Sequence, residues 1–145
     1  MIVVIPLGGI GKRFADFGYR MPKPLIKVFG KEIIFWVLSG LKITKKDKLF
    51  IIYHRNLELF NFEKIILEKF QNVRLFKLPI DTRGPVETVN VFLKFLEKNY
   101  DNEKILLSDG DLFYDCNILP KLKKTNHSAI IYFITKKISY HYGTL

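Results

Sequence analysis

Cysteine is nearly absent: Cys116 is the only one in 145 residues. That excludes an intrachain disulfide framework and a CxxC metal or redox pair, and it fits a reducing compartment. Arginine is also sparse, with five Arg against 19 Lys. Readers of bases and nucleic-acid phosphates lean on the arginine fork, so scattered lysines such as Lys42, Lys45, Lys46 and Lys48, or Lys121, Lys123 and Lys124, read as a solvated surface. No nucleic-acid partner is expected. Nowhere do about 18 apolar residues run uninterrupted, so neither a bilayer span nor a membrane partner is expected. The apolar opening from Met1 to Leu7 has no basic residue before it and is cut short by Gly8, Gly9 and Lys12, unlike a secretory signal. A cytoplasmic protein is the expectation. Acidic residues are outnumbered 14 to 24, a formal charge of +10; such a balance attracts anionic partners, whether nucleic acid, anionic lipid or phosphorylated small molecules, and is equally read as a solvated surface. What is plentiful is apolar material: 48% hydrophobic and 14% aromatic residues suffice for a packed core.

β-Branched and apolar runs at Ile2–Ile5, Leu49–Tyr53, Val73–Leu78, Ile105–Leu107 and Ala129–Ile134 predict buried strands, the first of them stopped by Pro6 and the glycines. Between them lie helical stripes: Ile33, Ile34, Val37, Leu38 and Leu41; Phe62, Ile65, Ile66 and Phe70; Val86, Val89, Leu93 and Leu96. Strands alternating with helices predict an α/β, Rossmann-like, mainly parallel sheet with helices on both faces. No repeat or Ser/Gly-rich linker interrupts the chain, so residues 1–145 are expected to form one domain. The tail from Lys136 carries few apolar residues, and the architecture is expected to be incomplete at the C-terminus.

In an open parallel sheet the carboxyl ends of the strands share one edge, where ligands bind. The unusual residues of this sequence follow three such ends. The first loop holds Gly8, Gly9 and Gly11, which let a ligand approach the main chain, and then the charges of Lys12 and Arg13. It is not a P-loop, because Arg13 stands where Ser or Thr follows the Gly-Lys pair and Pro6 where the first glycine belongs. It is not a dinucleotide fingerprint either, because Phe14 replaces the third glycine. Downstream, Pro22 and Pro24 stiffen an extended backbone around Lys23, a placement suited to a cation that stabilises moving charge. Gly84 and Pro85 open the third helical segment, with Asp81 and Thr82 just before it. Asp109 and Asp111, two apart after a strand, would face one side of an extended chain as hard oxygen ligands for Mg²⁺. Each loop also has a plainer reading: a simple turn, an exposed lysine, a local helix cap, an Asp-Gly turn. His54, His127 and His141 have no ligand spacing, and no nucleophile can be argued, so the chemistry falls to cations, a metal and backbone donors.

Taken in order, LGGIGKRF at 7–14, PKPL at 22–25, TRGPVETV at 82–89 and SDGDLFYD at 108–115 resemble the N-terminal half of the sugar-phosphate nucleotidyltransferases. There a signature close to LAGGxGTRL is followed by PKPL, a glycine-containing base-reading loop and a strand ending in a metal-binding Asp. The resemblance implies a nucleotide-diphosphosugar transferase-like fold. It implies that Leu7, Gly8 and Gly9 contact base and sugar, that Gly11, Lys12 and Arg13 wrap the triphosphate, and that Lys23 meets phosphates at the reacting centre. Arg13 and Lys23 are thus the catalytic candidates. Gly84, with Asp81 and Thr82, would line the base pocket; Asp111 would hold Mg²⁺, with Asp109 in support. Lys12, Phe14 and Glu87 depart from the residues usual at those places. HYG at 141–143 resembles the stretch just before the family's sugar-binding half, so residues 1–145 are expected to be a nucleotide-binding domain that stops short of that half.

The implied reaction joins a sugar 1-phosphate to the nucleotidyl group of a nucleoside triphosphate, releasing pyrophosphate. A non-catalytic nucleotide-binding fragment and a DxD glycosyltransferase of related fold are the alternatives; the first would release no pyrophosphate, and the second would hydrolyse a donor sugar.

Overall fold

The computed structural model describes residues 1–9, 11–96 and 103–129. Strand β1 (Ile2–Leu7) is followed by the short helix α1 (Lys12–Asp16), a 3₁₀ turn (Lys23–Leu25) and a small hairpin of β2 (Lys27–Val28) and β3 (Lys31–Glu32). Helix α2 (Ile33–Leu41), strand β4 (Lys48–Tyr53), a 3₁₀ segment (Arg55–Phe60), helix α3 (Phe62–Lys69) and strand β5 (Val73–Lys77) come next. Helix α4 (Pro85–Leu96), strand β6 (Ile105–Leu107) and helix α5 (Leu119–Lys124) complete the described elements. The expected strand from Ala129 to Ile134 lies outside the described residues apart from Ala129 itself, as do the tail, His141 and HYG at 141–143.

Among the described residues the main sheet runs β5-β4-β1-β6, with all three pairings parallel. Alternation along β1 explains the two layers. Val3, Ile5 and Leu7 face one core shared with Phe35 and Leu38 of α2, Phe62 and Ile66 of α3, and Leu119 of α5. Ile2 and Val4 face a second core with Phe50, Ile52 and, from α4, Phe92 and Leu96. Both faces of β1 are therefore dry, as a central parallel strand requires.

Three details differ from the sequence pattern. Strand β1 does not stop at Pro6: it pairs with β4 through Pro6 and Leu7. The Val4 carbonyl accepts from Ser108 N–H on the β6 side. Pro6, two residues on, faces the same side, where β6 has already ended at Leu107. The proline's missing N–H therefore costs no ladder bond. In α4 the buried stripe is Thr88, Phe92 and Leu96, whereas Val86 is 83% exposed. Thr88 takes the core side because its hydroxyl is satisfied there, donating to the Gly84 carbonyl at 3.1 Å. Third, the chain at Lys23–Leu25 is a 3₁₀ turn and not extended. Pro22 holds φ −64° and ψ 145°, its carbonyl accepts from Leu25 N–H at 2.9 Å, and Leu25 is buried.

A carboxylate away from the loops ties α5 to the start of β4. Asp47 is buried; its Oδ2 accepts from the Thr44 hydroxyl at 2.7 Å, and Lys123 Nζ lies 2.7 Å from Oδ1. Burial alone would push its carboxyl up, but the bonds from Lys123 and Thr44 outweigh burial and hold it below the ordinary 3.8. A carboxyl depressed on folding stabilises the native state above its unfolded value and loses that contribution as pH falls through the folded one. Unfolding midpoints are thus expected to drop below about pH 4, and to drop less steeply in Asp47→Asn, which should already cost about 1–3 kcal/mol at pH 7. Parallel acid profiles for the two proteins, followed by circular dichroism, would refute this.

Candidate functional site

Because β1, β4, β5 and β6 run parallel, the loops after them share one edge. There a cleft of about 390 Å³ is lined by Pro6, Leu7, Gly9, Gly11, Phe14, Lys23, Pro24, Asp109, Gly110 and Asp111. Six of the candidates read from sequence meet in it: Leu7, Gly9, Gly11, Lys23, Asp109 and Asp111. Lys23 and Asp111, 88 positions apart, form an ion pair through Nζ and Oδ2, with both side chains partly open to solvent. The ammonium also lies 5.4 Å from the centroid of the Phe14 ring, a cation–π contact that steadies it over the loop. Phe14 is thus a site residue, although the sequence marked it only as a departure. The backbone of Lys12 and Arg13 forms the first turn of α1, between Gly11 and Phe14, which both line the cleft.

Asp109 and Asp111 do not lie on an extended chain. Strand β6 ends at Leu107, and Gly110–Asp111 form a turn. The two carboxylates share the cleft because the turn folds against β1: a Cβ on Gly110 would sit 2.2 Å from Leu7 Cδ2, so any larger residue there would have to displace that methyl. Both donors are hard oxygens on one turn, with a cationic group already seated against one of them. That suits Mg²⁺, which takes one or two carboxylates and fills its remaining positions with water and phosphate oxygens. Among the described residues no three His, Cys, Asp or Glu side chains gather into a closed cage.

Gly8 faces away from the cleft. A Cβ there would lie 2.2 Å from Thr88 Oγ1 and 3.1 Å from Thr82 Oγ1, so the glycine-rich turn rests on these two hydroxyls. The hydroxyls meet each other at 2.6 Å. Gly8→Ala is therefore expected to lower stability by about 1–3 kcal/mol, the usual cost of overpacking a fixed core site. Adding Thr88→Ala should recover part of that loss, because neighbouring changes couple. Denaturant titration of the two singles and the double tests this; a wild-type midpoint for Gly8→Ala would sink it.

Asp81 does not cap α4. Its carboxylate accepts from His54 Nε2 at 2.9 Å and pairs with Arg55 at 3.1 Å. The start of α4 is held instead by Glu87, whose Oε2 accepts from Arg83 N–H at 2.7 Å; that bond and the Arg83 guanidinium lower its carboxyl below the ordinary value. Gly84 lines a second, larger groove of about 1030 Å³ between α4 and β6, with Val86, Leu93, Leu107 and Tyr114. The two spaces meet at Pro6 and Asp109, which line both. His54, dismissed on spacing, is buried at the end of β4. The only hint in the sequence was its place directly after an apolar strand.

No described helix is long and apolar enough to cross a membrane. No curated protein matches the chain significantly. Among solved structures, a nucleoside-diphosphate-sugar pyrophosphorylase from Vibrio cholerae RC9 aligns with a TM-score of 0.56 and 23% identity over 79% of this chain and 51% of its own. A 4-diphosphocytidyl-2C-methyl-D-erythritol synthase aligns with a TM-score of 0.51 and 22% identity over 75% of this chain and 45% of its own. At such identities the likeness is one of fold, and this chain spans about half the length of those two. The model of the nucleotidyl transferase family matches residues 2–143, nearly the whole sequence, and the chain belongs to that family.

Proposed function

We propose that this chain supplies the nucleotide-binding side of a nucleotidyltransferase that moves a nucleoside monophosphate from a nucleoside triphosphate to a sugar 1-phosphate, giving a nucleotide sugar and pyrophosphate. The observation that carries the reading is the pairing of Lys23 with Asp111 across a cleft floored by the glycine-rich turn. Membership of the nucleotidyl transferase family and the fold shared with a nucleoside-diphosphate-sugar pyrophosphorylase support it.

In this reaction an oxygen of the sugar phosphate attacks the α-phosphorus, a new P–O bond forms, and the bond from the α-phosphorus to the bridging oxygen breaks. Pyrophosphate leaves with the electron pair. The attacking oxygen is already ionised at neutral pH, so no side chain need remove a proton. The remaining demands are to align two anions and to compensate charge as it moves to the leaving group. Lys23, fixed between Phe14 and Asp111, and Arg13, on the first turn of α1, are the cations proposed for this. The backbone of Gly9 and Gly11 lets phosphates approach without a Cβ in the way. Asp111, with Asp109, would hold Mg²⁺, which when bound neutralises phosphate charge. The groove beside Gly84 would take the base, and Leu7, which lines the cleft, its sugar; Gly8, turned toward Thr88, would serve by letting the turn sit close to α4.

A panel of common nucleoside triphosphates with Mg²⁺, screened by thermal shift and then assayed for pyrophosphate release with several sugar 1-phosphates, tests the proposal. Release that requires both substrates is the expected result. Binding without release would make this a nucleotide-binding module, and donor-sugar hydrolysis would make it a glycosyltransferase.

A further inference from the structure

Three strand ends meet at one residue, through its backbone and its side chain, and the proposed reaction does not use it. His54 follows β4 and is 4% exposed. Its backbone N–H donates to the carbonyl of Leu7, the last residue of β1, at 3.2 Å. Its Nδ1 accepts from Asn56 N–H at 3.2 Å, which leaves the ring proton of the neutral imidazole on Nε2. Nε2 donates to Asp81 Oδ1 at 2.9 Å, on the loop that follows β5. Asp81 adjoins Thr82, whose hydroxyl packs on Thr88 and Gly8. Arg55 also reaches Asp81, but those side chains are 58% and 65% exposed, and a solvated pair adds little. The imidazole is the partner better able to fix the loop: Asp81 is solvated in both pairs, but the His54 ring is itself buried and already held by Asn56, so less side-chain freedom is lost in making its bond.

We infer that His54 is a positioning residue: by holding Asp81 it sets the 81–84 loop against the glycine-rich turn and thereby shapes the base side of the nucleotide site. With both ring nitrogens engaged, the imidazole is assigned this role through Asp81 and not through the reacting atoms, although its ring lines a small cavity of about 200 Å³ beside Gly9, Gly11 and Lys23. The inference rests on the reading that this loop lines the base pocket.

The test is steady-state pyrophosphate release by the wild type, His54→Ala, Asp81→Ala, the double variant and His54→Gln, with unfolding midpoints measured on the same samples. Each alanine variant is expected to raise KM for the nucleoside triphosphate about tenfold, the loss of one hydrogen bond to a charged group, with kcat within about twofold. The double variant should be no worse than the weaker single, and His54→Gln, which keeps an N–H donor, should recover most of the loss. If His54→Ala does not fold, Asp81→Ala carries the test, because Asp81 is exposed. An unchanged KM in Asp81→Ala, a fall in kcat at unchanged KM, or additive effects would overturn the inference. A wild type without nucleotide binding or pyrophosphate release overturns the proposed function as well; an active wild type with indifferent His54 and Asp81 variants overturns this inference alone.

Discussion

Arg13→Ala and Lys23→Met are each expected to lower kcat for pyrophosphate release by about 10²- to 10³-fold, the range for losing one preorganised charge donor. Methionine retains the unbranched stem beside Phe14 and removes only the charge, so Lys23→Met separates electrostatics from packing. The Lys23–Asp111 pair is partly exposed, with side chains 32% and 46% accessible. Such pairs contribute little to stability, and the unfolding midpoint of Lys23→Met should stay close to that of the wild type. Loss of turnover without loss of fold is therefore the signature sought. Steady-state assays at saturating substrate measure it, and a Lys23→Met or Arg13→Ala protein as fast as the wild type would remove that residue from the mechanism.

Asp111→Asn is expected to abolish the Mg²⁺ dependence of nucleotide binding. Asparagine preserves size and one oxygen but not the charge, which a hard divalent cation requires of its few protein ligands. The expected loss of metal affinity exceeds the roughly 10- to 100-fold seen when a residue merely supporting a metal ligand is removed. The same substitution releases Lys23 from its ion pair. Metal-free nucleotide binding should therefore hold or tighten while the magnesium increment disappears, a pattern that general damage to the cleft would not produce. Calorimetric titration of a nucleoside triphosphate with and without Mg²⁺ reads both quantities. A wild-type magnesium increment in Asp111→Asn would assign the metal to other donors.

Most of the framework was legible in the chain because hydrophobic period depends on local geometry. The runs at Leu49–Tyr53 and Ile105–Leu107 lie within or match β4 and β6, and the stripes at Ile33–Leu41 and Phe62–Phe70 became α2 and α3. The errors fall where tertiary partners overrule local preference. Val86 and Thr88 are both compatible with a helix, and only the waiting Gly84 carbonyl and Thr82 hydroxyl turn the threonine inward. Pro6 ends a strand by local rule, yet β1 runs on through it, because β6 stops before the missing donor would be needed. Lys23 lies between two prolines that favour extension, but burial of Leu25 closes a turn there.

By itself the sequence determined which residues could carry charge and where the backbone could bend: the glycines at 8, 9 and 11, the cations at 12, 13 and 23, and the carboxylates at 81, 109 and 111. It also determined the parallel α/β layering, through strands apolar on both sides. Only the tertiary structure decided which of these groups are partners. Lys23 answers Asp111, whereas Asp81, read from the sequence as a base-pocket or capping residue, answers His54. The reason is physical: pairing depends on separations of a few ångströms between residues tens of positions apart, set by strand order and by close approaches such as Gly8 on Thr88 and Gly110 on Leu7.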